Sequence, residues 1–270
     1  MRHDTLILIP AYNEERSIET LLRSIQDSGA EDYADVLVVD DCSSDSTGFI
    51  ARACGELTIR NVFNLGYGSA VQLGYKYAVR RKYQYVIQMD ADGQHDICNI
   101  RRLYDALHQP QAACGGELPD IVIGSRFFKS SVSFPISGIK RVAIRLFSAI
   151  IYTVTGCRIG DPTSGLQGLS RRAFLYYSQY NHFNARYPDA NMIIQMLLLG
   201  YNVTEIPSVM HARESGKSMH AGIWKPLFYM MIMTISILTI AWRERNRRKA
   251  CLQKHRAIEA ELHVRQSAAG

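Results

Sequence analysis

The stretch QMDADGQHD, residues 88–96, sets Asp90 and Asp92 directly after the apolar run Tyr85-Val86-Ile87 once Gln88 and Met89 are passed. Side chains two apart point the same way on an extended backbone, so the two carboxylates aim at one spot. They repel each other unless a cation sits between them. A hard cation such as Mg2+ or Mn2+ takes one or two carboxylates and completes its shell with substrate phosphates. Gly93 permits the bend that follows and Gln94 can add a neutral oxygen, so Asp90, Asp92 and Gln94 are the candidate metal ligands. The rival reading is a solvated acidic turn. What separates the two is whether the chain supplies what a cation would hold. His95 fits a phosphate contact and a backbone-bonded turn histidine about equally.

Other polar clusters offer the missing parts. DDCSSDST opens with Asp40 and Asp41, two acids emerging together from an apolar strand. Ser43 or Ser44 with Asp45 would start the next helix well, which leaves Asp40 and Asp41 unexplained. A carboxylate there can accept from the N–H of a nucleotide base. Tyr12 in IPAYNEE could lie against that base, whereas Glu14 and Glu15 suit a helix opening as much as a ligand. In NLGYG, Gly66 and Gly68 let backbone approach a ligand closely. Arg126, Arg141, Arg213 and Lys217 are candidates for diphosphate or acceptor phosphate, and singly each reads as well as a surface charge. If the acceptor is a hydroxyl, a carboxylate must take its proton. Asp161 in GDPTSG and Asp189 in YPDA are the two candidates. Asp161 before proline is also a natural turn former, and Asp189 also suits the start of the helix ANMIIQMLLLG.

These residues need a frame. Short apolar runs at 6–9, 36–40, 58–62, 85–89 and 121–124 read as strands, and amphipathic stretches at about 15–27, 44–54, 68–82 and 97–108 as helices. The alternation implies an α/β fold with a parallel sheet covered on both faces. Ligands then bind beyond the carboxyl ends of the strands. Five consecutive strand ends carry polar or glycine-rich chemistry: PAYNEE, DDCSSDS, NLGYGSA, DADGQH and GSRF. Residues 109–119 read as a loop.

Composition narrows the class. The 270 residues are 47% apolar and 21% charged, ordinary for a globular chain that can bury a sizeable core. The net charge of +6 is concentrated, since residues 243–256, RERNRRKACLQKHR, carry seven Lys or Arg and one Glu. A charge excess confined to a tail, without a patterned groove and aromatics, argues against a nucleic-acid binder. Six cysteines without CxxC spacing read as reduced thiols of a cytosolic protein, and the N-terminal apolar run is too short for a signal peptide.

Taken together and in this order, PAYNEE, VVDDCSSDST, NLGYGSA, DADGQHD, GSRF, DPTSGLQGLSRRAF and RESGKS resemble a family 2 glycosyltransferase of the GT-A fold. The resemblance covers about residues 4 to 220 and lies nearest the dolichyl-phosphate mannosyltransferase-like and bacterial polyprenyl-phosphate glycosyltransferase group. It implies a Rossmann-like, mostly parallel sheet, a nucleotide-sugar donor, Mg2+ or Mn2+, and inversion at the anomeric carbon. It implies that Pro10, Tyr12, Glu14 and Asp41 hold the nucleoside, with Gly68 and Ala91 counted in the donor site. Asp90, Asp92 and Gln94 match the metal and diphosphate site, and Arg126 an arginine facing the transferred group. Arg141, Arg213 and Lys217 match phosphate-binding positions. The resemblance favours a UDP-sugar over GDP-mannose and a polyprenyl phosphate acceptor, in cell-surface glycan biosynthesis at the inner face of the membrane. Such an acceptor oxygen is already anionic, its second ionisation lying near ~6, and needs no base. The two transmembrane helices of several relatives are missing, which leaves the acceptor open. The alternative is a hydroxyl of a lipid-linked saccharide or polysaccharide, with Asp189 as a candidate base. A nucleotidyltransferase would carry a Gly-rich, Lys-bearing loop where PAYNEE stands, and a non-catalytic sugar-nucleotide sensor would have lost the metal carboxylates.

The expected division is a catalytic domain over 1–220, an apolar helix with a basic end over 221–249 and a tail over 250–270. Residues 227–242, LFYMMIMTISILTIAW, carry no charge but fall short of the about 20 apolar residues that span a bilayer. Spanning would also carry the following arginines to the far side, against the positive-inside bias. A helix at the membrane surface, or against the same helix of another subunit, satisfies both constraints. Its rival is a helix that covers the sheet of its own domain, which apolar residues all round it favour. The expectation is a peripheral, homo-oligomeric protein.

Overall fold

Strand β1, Thr5–Ala11, is buried at all seven positions, which is why it reads as an unbroken apolar run. Its side chains part into two cores. Leu6 and Leu8 enter one with Leu37 and Val39, and Ile7 and Ile9 enter the other with Val36 and Val38. The structure, a computed structural model, describes residues 3–133, 138–212, 228–244 and 246. After β1 come α1 (Ile18–Asp27), β2 (Ala34–Asp40), α2 (Thr47–Ala53), β3 (Leu57–Arg60), α3 (Tyr67–Arg80) and β4 (Tyr85–Gln88). Then follow α4 (Cys98–Leu107), β5 (Ile121–Ser125), α5 (Gly138–Thr155), β6 (Gln167–Ser170), α6 (Arg171–Ser178), α7 (Ala190–Leu198) and β7 (Val203–Pro207). A last helix, α8, spans residues 228–244. Helices α1, α2 and α4 cover one face of the sheet, and α3, α5, α6, α7 and α8 the other.

The seven strands form one sheet in the order β3-β2-β1-β4-β6-β5-β7. The five strands expected from the sequence are all present, and β6 and β7 are additions. β6 is also the departure from a parallel sheet, since it runs antiparallel to both β4 and β5. Four residues with one glycine, QGLS, carry too little apolar pattern to announce a strand. The reversal has a direct consequence. Gln167 opens β6 opposite Gln88 and Ile123, so DPTSGL, which precedes β6, arrives at the edge where β4 and β5 end.

Helix α8 packs on the same core as α5 and α7. Met233 and Ile237 are fully buried in it. The division expected at residue 220 is therefore no break in packing. The opposite face of α8 is apolar too: Phe228, Met231, Ile235, Leu238 and Trp242 are each more than half exposed. Their spacing of three and four residues makes them one stripe. Among the described residues no helix is long and apolar enough to cross a membrane. Arg213, Lys217 and the basic run from 247 onward lie outside the described residues.

Candidate active site

The loops after β1 and β2 are laced together. Asn13, at φ 55°, donates its backbone N–H to Ser43 Oγ at 3.0 Å and accepts from the Ser44 backbone N–H at 2.8 Å. Glu14 donates its backbone N–H to Thr47 Oγ1 at 2.8 Å, and Glu15 Oε2 accepts from the Ser46 N–H at 3.2 Å. The lacing consumes the residues expected to open the helices. Ser46, not Ser43 or Ser44, stands at the cap of α2, and both α1 and α2 begin about one turn later than periodicity alone suggests. Pro10 lies within β1, and Tyr12 beyond it is exposed.

The two acids after β2 do different work. Asp40 is fully buried, accepts from the Ser43 N–H at 2.8 Å and lies 3.6 Å from Arg60 Nε. Asp41 holds the next loop: it accepts from Asn61 Nδ2 at 2.7 Å, Leu65 N–H at 3.0 Å and Gly66 N–H at 2.8 Å. What approaches Gly68 is the chain's own backbone. A Cβ there would lie 2.3 Å from the Asn184 carbonyl oxygen, so the glycine serves packing where a ligand approach was expected.

Asp90 ends a buried chain of hydrogen bonds. The Tyr75 hydroxyl donates to Gln88 Oε1 at 2.6 Å, and Gln88 Nε2 donates to the Tyr67 hydroxyl and the Gly165 carbonyl, both at 3.0 Å. Tyr67 in turn donates to Asp90 Oδ1 at 2.8 Å. Burial first, then the Asp90 charge, raises the Tyr67 hydroxyl far above its ordinary range, so it remains a donor. His95 Nε2 lies 3.4 Å from Asp90 Oδ2. β4 ends at Gln88, and residues 91–93 form a turn with Gly93 at φ 73°, so Asp92 is carried by that turn and not by an extended backbone. Asp92 Oδ1 accepts from the Gln94 N–H at 3.1 Å, and Ala91 is buried beneath. Among the described residues no group of three or more His, Cys, Asp and Glu side chains is set to hold a metal. Two carboxylates suffice where substrate phosphate finishes the shell. Gly165 keeps that place open, since a Cβ there would lie 2.8 Å from Asp90 Oδ2. The hard oxygen donors fit a divalent cation shared with a diphosphate.

The Asp90 charge also acts on Arg126, which is paired with Asp161. The guanidinium donates to both Asp161 oxygens at 2.6 Å and to Thr163 Oγ1 at 3.0 Å, and the Arg126 backbone N–H adds a bond of 3.0 Å. Asp161 is fully buried. Its lone pairs are committed, which removes it as a candidate base. Glu205 of β7 holds the same turn by accepting from the Gly160 and Asp161 N–H groups at 2.7 and 2.8 Å.

The second candidate base survives. Asp189 occupies the cap position of α7 without capping it, and its Oδ2 accepts from the Tyr229 hydroxyl of α8 at 2.7 Å. Burial raises its carboxyl from 3.8 to about 6; the Tyr229 bond lowers it, the Asp90 charge raises it, and Lys140 and Arg126 lower it. Lys140, at the start of α5, is exposed, yet its ammonium is lowered by burial of the head group and then by Arg126, against Asp161, Asp189 and Asp90. Arg141, the position singled out in the sequence, is exposed one residue on, and its neighbour Lys140 is the cation coupled to the cluster.

A model of glycosyl transferase family 2 matches residues 6–176. The chain belongs to that family. This family 2 glycosyltransferase is 28% identical over 225 residues to an undecaprenyl-phosphate mannosyltransferase of Micrococcus luteus, across 80% of this chain and 87% of that protein. It is 24% identical over 248 residues to a UDP-N-acetylglucosamine–dolichyl-phosphate N-acetylglucosaminyltransferase of Methanococcus voltae, across 84% and 94% of the two. Glucosyl-3-phosphoglycerate synthase of Mycobacterium tuberculosis, solved with Mn2+, UDP and glucosyl-3-phosphoglycerate, superposes with a TM-score of 0.62. It covers 89% of this chain and 80% of its own at 20% identity, a likeness of the GT-A fold. Four residues of the site escaped sequence reasoning. Tyr67 and Gln88 stand inside the quoted motifs but look like filler, Lys140 is separated from Arg141 only by helix phase, and Tyr229 lies in a helix that reads as apolar.

Two variants test these assignments. Asp161→Asn leaves the buried Arg126 without its counter-charge and should cost about 3–5 kcal/mol in urea unfolding; an unchanged midpoint would show that the pair does not hold the site. For Asp189, the folded chain keeps a proton between pH about 4 and about 6 that the unfolded chain has released. Stability therefore falls as pH rises through that window. Asp189→Asn should stabilise the ligand-free protein at pH 8 by on the order of 1–2 kcal/mol and lose this gain toward pH 4. Melting curves at the two pH values that show equal effects would contradict the burial of its charge.

Proposed function

We propose that the enzyme transfers a hexose from a nucleoside-diphosphate sugar, favouring UDP, with inversion, to the phosphate of a membrane-held polyprenyl phosphate in cell-surface glycan biosynthesis. Lys140 carries the choice of acceptor: a lysine at the start of α5 whose ammonium interacts with Arg126, Asp189 and Asp90 suits an incoming anion. Relatives named as polyprenyl- and dolichyl-phosphate glycosyltransferases support it. Pro10, Tyr12, Glu14 and Asp41 hold the nucleoside at the ends of β1 and β2, and Asp41 keeps acceptor capacity beyond its three internal bonds. Asp90 and Asp92, with Gln94 beside them, would hold Mg2+ or Mn2+, which when bound stabilises negative charge on phosphate oxygens. Tyr67 orients Asp90 for that task. Arg126, fixed by Asp161, faces the transferred sugar and the charge that develops as the diphosphate leaves. Arg141, Arg213 and Lys217 contribute phosphate contacts in this reading. An anionic acceptor oxygen attacks without loss of a proton. A second reading, a hydroxyl acceptor with Asp189 as base, is favoured by its carboxyl titrating at about 6, near the range a base needs.

The stripe Phe228, Met231, Ile235, Leu238 and Trp242, with Arg141 and Arg145 exposed on α5, suits contact with an anionic lipid surface at the inner face of the membrane. The cations would each add about 1 kcal/mol near such a surface.

Nucleoside diphosphate release should be followed for a panel of nucleotide sugars, with polyprenyl phosphate in vesicles and with or without EDTA. Release should need both metal and acceptor, and Asp90→Asn and Asp92→Asn should each lower it by about a hundredfold or more while remaining folded. Full activity of either variant, or of the wild type in EDTA, would sink the metal site. In the same assay a ~10²–10⁴-fold loss in Asp189→Asn would favour the hydroxyl acceptor. Co-sedimentation with anionic liposomes at low salt tests the stripe, and Ile235→Glu and Leu238→Glu should abolish it while sparing donor binding. A concentration-dependent dimer lost in those variants, without liposome binding, would assign the stripe to a second copy.

A further inference from the structure

The amino end of α7 is tied to α8 at two points. Tyr229 donates its hydroxyl to Asp189 Oδ2 at 2.7 Å. Asn191 Nδ2 donates to Ser236 Oγ at 3.1 Å, while Asn191 Oδ1 accepts from the Asp189 backbone N–H at 3.0 Å. Tyr229 and Ser236 are about two helical turns apart and share one face of α8, the face that buries Met233. Edge-on ring contacts fix Tyr229, with Phe147 of α5 at 6.2 Å and Tyr187 at 5.4 Å between centroids.

We infer that Tyr229 is a positioning residue: through its hydroxyl, α8 holds the Asp189 carboxylate in the cluster of Asp90, Arg126 and Lys140. Packing alone would be served by phenylalanine, whose ring makes the same two contacts. The hydroxyl instead meets a group of the site. Asp189 does not cap its own helix, so its nearest local use is given up for this bond. The groups coupled to Asp189 are Tyr67, Asp90, Arg126, Lys140 and Tyr229, and they come from five different parts of the fold. α8 also carries the outward apolar stripe, so one rigid helix joins that surface to the carboxylate. The inference rests on Asp189 standing in the proposed transfer site, where losing its charge should change transfer to polyprenyl phosphate by less than the ~10²–10⁴-fold of a lost general base.

Tyr229→Phe in the full-length protein keeps both ring contacts. In ligand-free protein, carboxyl-carbon NMR of Asp189 should titrate near pH 6 in the wild type. It should titrate about one pH unit higher in the variant, because a bond to the charged form is lost. In transfer from a UDP-sugar to polyprenyl phosphate, Asp189→Asn and Tyr229→Phe should move the same kinetic parameter. The double variant should match Asp189→Asn alone. Donor affinity should stay unchanged in Tyr229→Phe, while the melting temperature at pH 8 should fall by a few degrees, roughly as the lost bond to the charged carboxylate requires. Ser236→Ala, which cuts the other tie, should leave the titration at its wild-type position. An unmoved titration in Tyr229→Phe, an equal shift in Ser236→Ala, or additive kinetic effects would overturn the assignment, as would loss of donor affinity. If the wild type transfers nothing to polyprenyl phosphate, the acceptor reading fails, and the titration still decides the place of Tyr229.

Discussion

Asp161 is fully buried, and both of its carboxylate oxygens accept from the guanidinium of Arg126. A lone carboxylate in that position would neutralise itself or unfold the site, whereas a bidentate partner with further bonds makes the charge tolerable. The pair therefore dictates how the turn after β5 meets the turn before β6. Thr163 and the Glu205 bonds to the Gly160 and Asp161 backbone leave that junction little freedom. The guanidinium points where it does because Asp161 does.

Asp90 is managed differently. Hydroxyl and imidazole groups surround it, and its side chain keeps a third of its surface open. The chain from Tyr75 through Gln88 to Tyr67 fixes each proton in turn: a buried hydroxyl must donate, so Gln88 must accept at Oε1 and donate at Nε2. One carboxylate of the site is thus paired from within, and the other is oriented by the Tyr67 hydroxyl and keeps part of its surface open. That asymmetry suits the proposed cation shared between Asp90, Asp92 and a substrate diphosphate.

Helix α8 shows how one amphiphilic element serves two surfaces. Met233 and Ile237 complete the core over α5 and α7, and the outer stripe remains apolar. Its Tyr229 reaches a site residue that lies far away in sequence. Removing the helix would therefore expose core and release Asp189 together, so it cannot be regarded as an appendage to an independent catalytic domain.

Much of this was legible in the sequence. The strand–helix alternation follows from local periodicity, and the polar clusters at five successive strand ends mark the proposed binding edge, because both are set by near neighbours in the chain. The family follows from the motifs in their order. What only the tertiary structure decided is pairing across the fold. Asp161 and Asp189 look alike in sequence, each a carboxylate at a turn, and only Arg126 against the first and Tyr229 against the second give them different chemistry. Lys140 and Arg141 are adjacent cations, and only the phase of α5 on the sheet selects the one coupled to the cluster. Burial and charge partnership are sums over residues distant in the chain, so no local pattern carries them.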